Sequence, residues 1–252
     1  SRGLGDVYKR QHVYNTPRAW YMARCLNPST MNWDGPDADF TPLSDDIPWC
    51  MVPEKKVTIE DVKYVLSSHF QGTPYDPYAS YGDKSMKGAY RAIGVNRTDF
   101  LGIIQMRPDA EEDSRAIEWV AFASNVFNTA APFYTDVEKV PEYFSNTTGD
   151  ASTDNFYWAS RMIAAMADAS YSKSIFHIER YQERVMSKGH EYINQYDELL
   201  SKESNAEERM QLRQEANEKI ADMVKKETQD TLNKVLYELS NQMKNAYSRS
   251  DA

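Results

Sequence analysis

Residues 90–123 read YRAIGVNRTDFLGIIQMRPDAEEDSRAIEWVAFA, and this stretch sets the fold class. Three apolar runs stand in it, Tyr90–Val95, Phe100–Met106 and Ile117–Ala123, each of strand length and rich in β-branched and aromatic residues. Asn96-Arg-Thr-Asp99 supplies a hairpin connection between the first two, and Glu111-Glu-Asp113 marks the turn before the third. Their nearly continuous apolar character suits a sheet covered on both faces. From Thr153 onward the period changes to that of helices. Strands followed by helices predict an α+β fold.

Ile178, Tyr181, Val185, Tyr192, Tyr196 and Leu199 step by 3, 4 or 7 and form a helical seam. Ser204-x-x-Glu207 reads as a capping box that restarts a helix with the stripe Ala216, Ile220, Met223, Thr231, Val235, Leu239, Met243. The polar stretch 201–205 is then a turn between two long helices, a C-terminal helical hairpin. At ~1.5 Å per residue, helices of about 40 residues would reach ~60 Å, so they must bend or stand off the body. A projecting hairpin would also offer a surface for a homo-oligomer.

Upstream, His12-Val-Tyr-Asn-Thr-Pro-Arg-Ala-Trp-Tyr-Met-Ala-Arg-Cys-Leu-Asn-Pro28 reads as a turn entering a short helix. Thr16 is expected to cap it with Pro17 at the first position. Trp20, Ala23 and Leu26, with Ala19 beside them, make its apolar face, and Asn27-Pro28 ends it. Arg18 falls in the first turn, where the helix dipole disfavours a cation; it is either paired with a carboxylate or kept for a task. Asn27 to Pro53 reads as a long surface loop. Thr58-Ile-Glu-Asp61 is a capping box, with Val62, Val65 and Leu66 carrying an apolar face to about Phe70. Gln71 to Lys87 is a loop lined with aromatics.

Composition narrows the function classes. The chain has 252 residues, 41% hydrophobic and 12% aromatic, which is ample for a core. Mean hydropathy is −0.71, and no apolar run approaches the ~20 residues of a membrane span. The net charge of −9, with no basic run, argues against nucleic acid as a partner. Cys25 and Cys50 form no metal pattern, and His177 and His190 are not at the spacing of a metal pair, so no metal or cofactor is expected.

The segment YNTPRAWYMARCLNP resembles a stretch of the dipeptidase A-like cysteine dipeptidases, a family of N-terminal-nucleophile hydrolases. The resemblance continues in register through Asp46–Trp49, Lys56–Val62, His69–Asp76, Tyr90–Gly94, Ile104–Arg107, Trp119–Ala123, Ala131–Tyr134 and Asn155–Trp158. It implies a four-layer αββα sandwich and a dipeptide substrate. It also implies a nucleophile that is the mature N-terminal cysteine, with its own α-amino group as general base. Residues 1–11 do not resemble the family; they are similar to translated sequencing-adapter sequence and are set aside. That tract carries three basic residues and one acid, so the remainder is nearer −11. Nothing after Ser1 resembles the strand that follows such a nucleophile. The chain is therefore expected to be about the C-terminal half of such an enzyme, inactive alone: a non-native tract 1–11, a partial αββα hydrolase domain 12–152, and a helical region 153–252 packing on or projecting from it.

The candidate site residues follow. The YNTPRAW segment resembles the place where the related choloylglycine-hydrolase enzymes present an active-site arginine, and the resemblance implies that Arg18 would stabilise developing negative charge near the nucleophile. Asn15 could donate to a substrate carbonyl or make an Asx-turn. Phe133 and Tyr134 could wall a peptide pocket or serve as core aromatics. Asn125 and Asn128 lie at a strand end, where sites gather. Cys25 and Cys50 read as packing thiols, and His69 as a residue serving the end of its helix. Two alternatives stand beside the dipeptidase reading: a non-catalytic helical interaction module, and an amidase of the choloylglycine-hydrolase type.

Overall fold

The computed structural model describes residues 11–245 and divides the chain into two compact units, up to Val95 and from Asn96. The expectations for residues 1–10 lie outside the described residues.

Among its described residues the first unit places α1 (Thr16–Leu26), preceded by a helical turn at 11–14, and α2 (Ile59–Leu66) in a frame of loops. Its core is aromatic: Trp20, Tyr21, Trp33 and Phe70, with Phe40, Tyr75 and Tyr90 packed around them. These rings tie loops together because each carries a polar handle as well as apolar area. The Trp20 indole donates to the Phe40 carbonyl at 3.1 Å, Trp33 to Asn27 at 2.8 Å, and the Tyr21 hydroxyl to Gln71 at 2.9 Å. The loop from Asn27 is pinned at its far end by Glu54, whose carboxylate accepts from Ser29 N and Thr30 N. The capping box on α2 is present as expected, Thr58 accepting from Asp61 N and Asp61 from Thr58 N. That helix stops at Leu66, and Phe70 has a left-handed backbone (φ 66°).

Two expectations for α1 are corrected. Residues 11–14 are already helical, and Asn15, not Thr16, occupies the junction, with no side-chain cap. A second helical turn ahead of α1 removes the free N–H groups that a cap would serve. The buried face is Thr16, Pro17, Trp20 and Tyr21, while Ala19 is exposed. Tyr90–Val95 is not a strand. The Tyr90 ring is drawn into the aromatic core, 4.8 Å from Tyr75, and its neighbours make isolated bonds, Arg91 N to Val13 O and Gly94 N to Ser68 O.

The second unit holds the sheet, an antiparallel meander of β1 (Phe100–Met106), β2 (Ala116–Phe122) and β3 (Ala131–Tyr134). Tyr134 opposes Ile117, and Phe100 opposes Phe122. A short 3-10 turn, Glu112–Ser114, stands where the acidic turn was expected. The short α3 (Glu142–Ser145) is followed by α4 (Phe156–Ala169), α5 (Tyr171–Leu200) and α6 (Ala206–Ser240). Fold class is α+β.

On one sheet face Trp119 lies 4.6 Å from the His190 ring of α5. A Cβ at Gly189 would come within 2.6 Å of Pro132, so only glycine lets α5 approach β3 this closely. On the other face Phe144 and Phe156 pack against Phe122. That face is not covered throughout: Phe100, Ile104 and Met106 alternate outward along β1 and are exposed.

The outer edge of β3 is closed by a side chain. Asn217 of α6 accepts from Tyr134 N at 2.9 Å and donates to Tyr134 O at 3.0 Å, standing in for a neighbouring strand. α5 and α6 run antiparallel, with Tyr181 bonded to Thr228 and Tyr196 to Glu215. They are 30 and 35 residues long, shorter than expected: α5 starts only after a break at Ser170, and α6 ends at Ser240. Ile178, Tyr181, Val185, Ala216, Ile220 and Val235 are buried as the periodicity predicts, but Leu199 and Met243 are exposed. The cap of α6 is Asn205, which accepts from Glu207 N and Glu208 N, and not Ser204.

Candidate functional site

Asn15 and Arg18 are brought together as neighbours on the segment that enters α1. The Arg18 guanidinium folds back, its Nε donating to the Tyr14 carbonyl and its Nη2 to Asn15 Oδ1 at 3.1 Å. Asn15 therefore makes no Asx-turn: its oxygen serves the arginine, and its amide protons have no protein partner among the described residues. The alternatives set by sequence for Arg18 were a carboxylate partner or a task. Among the described residues no carboxylate pairs with it. Instead a second cation is close: burial, and after it the positive charge of Arg91, pulls Arg18 below its ordinary value. Arg91 stacks on the Tyr14 ring at 5.4 Å from the centroid, and its backbone N is bonded to Val13 O. Nothing local in the sequence joins Arg18 to a residue 73 positions later, so Arg91 is a site residue that sequence reasoning missed.

A cleft of about 380 Å³ lies in the same unit, lined by Tyr21, Arg24, Cys25, Tyr64 and Gln71 among others. Burial raises the Cys25 thiol despite the nearby Tyr21 hydroxyl and the charge of Arg24, so the thiolate is disfavoured. Arg24 is paired with Asp34 at 2.9 Å. Cys50 is exposed, contrary to the packing role expected, because its Pro-rich loop lies on the surface.

Two further groups in this unit carry chemistry that the sequence did not advertise. Lys63 is 4% exposed, and burial pushes its amine down to about 7. Its Nζ lies 2.6 Å from Ser67 Oγ, which in turn donates to the Lys63 carbonyl at 2.6 Å. The hydroxyl proton is thus held by the end of α2, and the pair terminates a helix without presenting a nucleophile. His69 lies three residues beyond the end of α2 and is buried, with Nδ1 2.9 Å from Asp76 Oδ1 and its ring edge-on to Tyr78.

In the second unit, Phe133 and Tyr134 are both buried and point to opposite faces of β3. Phe133 packs on Phe144 at 4.7 Å. The Tyr134 hydroxyl donates to Asp197 at 2.8 Å, and burial, then that carboxylate, raises it. The β2–β3 connection is unusual. Ser124, Asn125, Asn128 and Thr129 are all buried, Ala123 has φ 66°, and Asn128 Oδ1 and Thr129 Oγ1 have no hydrogen-bond partner among the described residues. Asn128 Nδ2 meets Phe122 O and Ala123 O, which fixes the strained turn.

The fold and these side chains describe an α+β protein with an unneutralised arginine pair in the first unit and a buried amide-rich turn in the second. Comparison with known proteins gives the family. The sequence model of peptidase family C69 matches residues 3–184, and the chain belongs to that family. It is 44% identical to a dipeptidase of Bifidobacterium longum, over 98% of this chain and 54% of that protein. It is also 44% identical to a probable dipeptidase A of Streptococcus pyogenes serotype M18, over 98% and 50%. Dipeptidase A of Lactobacillus helveticus is 31% identical over 89% and 45%. The chain spans about half the length of the curated relatives it matches.

Proposed function

We propose that this chain is part of a cysteine dipeptidase that cleaves unblocked dipeptides by acyl transfer. The observation that carries the reading is Arg18: an arginine held by Tyr14 O and Asn15 Oδ1, without a carboxylate partner among the described residues, in a chain of the dipeptidase-bearing family. A thiolate attacks the scissile carbonyl, and the carbonyl oxygen becomes an oxyanion. The tetrahedral intermediate collapses by expelling the amine, and water then releases the acyl group. Arg18 stabilises the oxyanion, and Asn15 donates an amide proton to the same carbonyl.

The nucleophile is an N-terminal cysteine supplied by chain outside these 252 residues. Cys25, with its raised thiol, is unsuited to the role. The sheet is part of an αββα sandwich, a reading supported by the exposed apolar row Phe100, Ile104, Met106 that a second sheet would cover. The interaction-module alternative loses ground because the helical stripes are buried within their own unit.

Dipeptide hydrolysis by the longer protein that contains this chain tests the proposal. It is expected to release both amino acids, with Arg18→Gln lowering kcat about 10²–10³-fold. No dipeptide hydrolysis by the longer protein would overturn the reading. Turnover by the 252-residue chain alone would overturn the placement of the nucleophile.

A further inference from the structure

We propose that Arg18 and Arg91 form a carboxylate clamp with Tyr14 as its platform, and that it holds the C-terminal carboxylate of the dipeptide. The substrate identity rests on the dipeptidase reading; the anion site does not.

Tyr14 organises both arginines, its carbonyl accepting from Arg18 Nε and its ring lying beneath the Arg91 guanidinium at 5.4 Å. The backbone bond from Arg91 N to Val13 O, 3.1 Å, fixes the second arginine to the same segment. Two cations held on one residue repel each other, and that repulsion contributes to the lowered value of Arg18. An acidic chain, with 38 carboxylate residues against 29 lysines and arginines, could have neutralised the pair, yet neither makes an ion pair among the described residues.

Of the five guanidinium N–H groups of Arg18, two are used, on Nε and Nη2; Arg91 makes no described hydrogen bond through its guanidinium. The remaining N–H groups form the planar forks that match a carboxylate. Tyr14 and Arg91 are exposed and Arg18 is partly so, which leaves the pair open to a solute. In a dipeptide the scissile carbonyl and the terminal carboxylate are separated by a single residue. Arg18 can therefore face the first while Arg91, with the remaining Arg18 protons, grips the second.

Two measurements test this. In the 252-residue chain labelled with 15N-arginine, sodium acetate should shift the Nε–Hε signals of Arg18 and Arg91 saturably, in excess of equal ionic strength of chloride. No saturable shift, or one equal to that of chloride, would overturn the clamp. In the longer enzyme, Arg91→Gln should raise KM for a dipeptide roughly ten- to hundredfold, with a much smaller effect on kcat, and should abolish preference for the free dipeptide over its C-terminal amide. Arg91→Lys should restore part of the preference, since it keeps the charge without the fork. Equal losses on dipeptide and amide would show a merely structural role and overturn the substrate assignment. Should the longer enzyme cleave no dipeptide, the functional reading fails while the acetate titration still decides the arginine pair.

Discussion

Four arginines of the second unit and two of the first are used in opposite ways; Arg24 of the first unit, paired with Asp34, belongs with the four. In the second unit Arg107 pairs with Asp197, Arg184 with Glu227, and Arg209 and Arg213 both with Asp113. Arg213 is 3% exposed and also reaches Asp136 at 3.1 Å, so its charge is fully compensated. In the first unit Arg18 and Arg91 meet a carbonyl, an amide oxygen, an aromatic ring and each other. A paired arginine holds structure together, because removing its partner leaves a buried charge. An arginine facing another arginine adds little to stability and is available to an anion. The contrast separates the charges that build the fold from those that can act.

Three measurements would sharpen or break that contrast. The largest stability effect should come from Asn217→Leu, which leaves the Tyr134 N–H and C=O without partners inside the protein. Two orphaned buried groups should cost about 4 kcal/mol in urea unfolding followed by tryptophan fluorescence. A loss under ~1 kcal/mol would mean that α6 does not close the sheet edge.

Asp113→Asn should cost about 3 kcal/mol at neutral pH, because Arg213 keeps only Asp136. It should also flatten the acid limb. The Arg209 hydrogen bond and the Arg213 charge hold Asp113 below its usual range. Its contribution is therefore complete above the unfolded carboxyl value of about 3.9 and disappears as pH falls through the lowered folded value. Unfolding free energy measured from pH 6 to pH 3 should fall more steeply in the parent than in Asp113→Asn; parallel curves would refute the linkage.

The smallest stability effect belongs to the first unit. Arg91→Gln should change unfolding free energy by less than ~0.5 kcal/mol, since no ion pair is lost and a repulsion is relieved. A loss above ~1.5 kcal/mol would move Arg91 to the structural group and remove the contrast.

Much of the fold was legible because it is locally encoded. Phe100–Met106 and the strand over 116–122 follow from apolar runs bounded by turn residues, and the capping box at Thr58 from a spacing of three. The turn 201–205 follows from a break in two stripes. β3 was not predicted: Pro132 weakens Ala131–Tyr134 as a strand, and the segment forms where Gly189 and Asn217 close over it. The Tyr90 run had the composition of a strand but lost it to rings at Phe70 and Tyr75.

The candidate site divides the same way. Arg18 stood out by its position, at a helix entrance where a cation needs a reason, and Asn15 by its proximity in sequence. Their neighbour Arg91 could not be read, because it reaches Tyr14 by a chain path of 77 residues that no periodicity spans. By itself the sequence determined the helices that follow Asn15 and Thr58 and the two long ones, two of the strands, the acidic charge and an arginine out of place, because propensity, capping and alternation act within a few residues. Tertiary structure alone decided which arginines are neutralised. Compensation of charge depends on distance through space, and that distance exists only once loops have been folded onto one another.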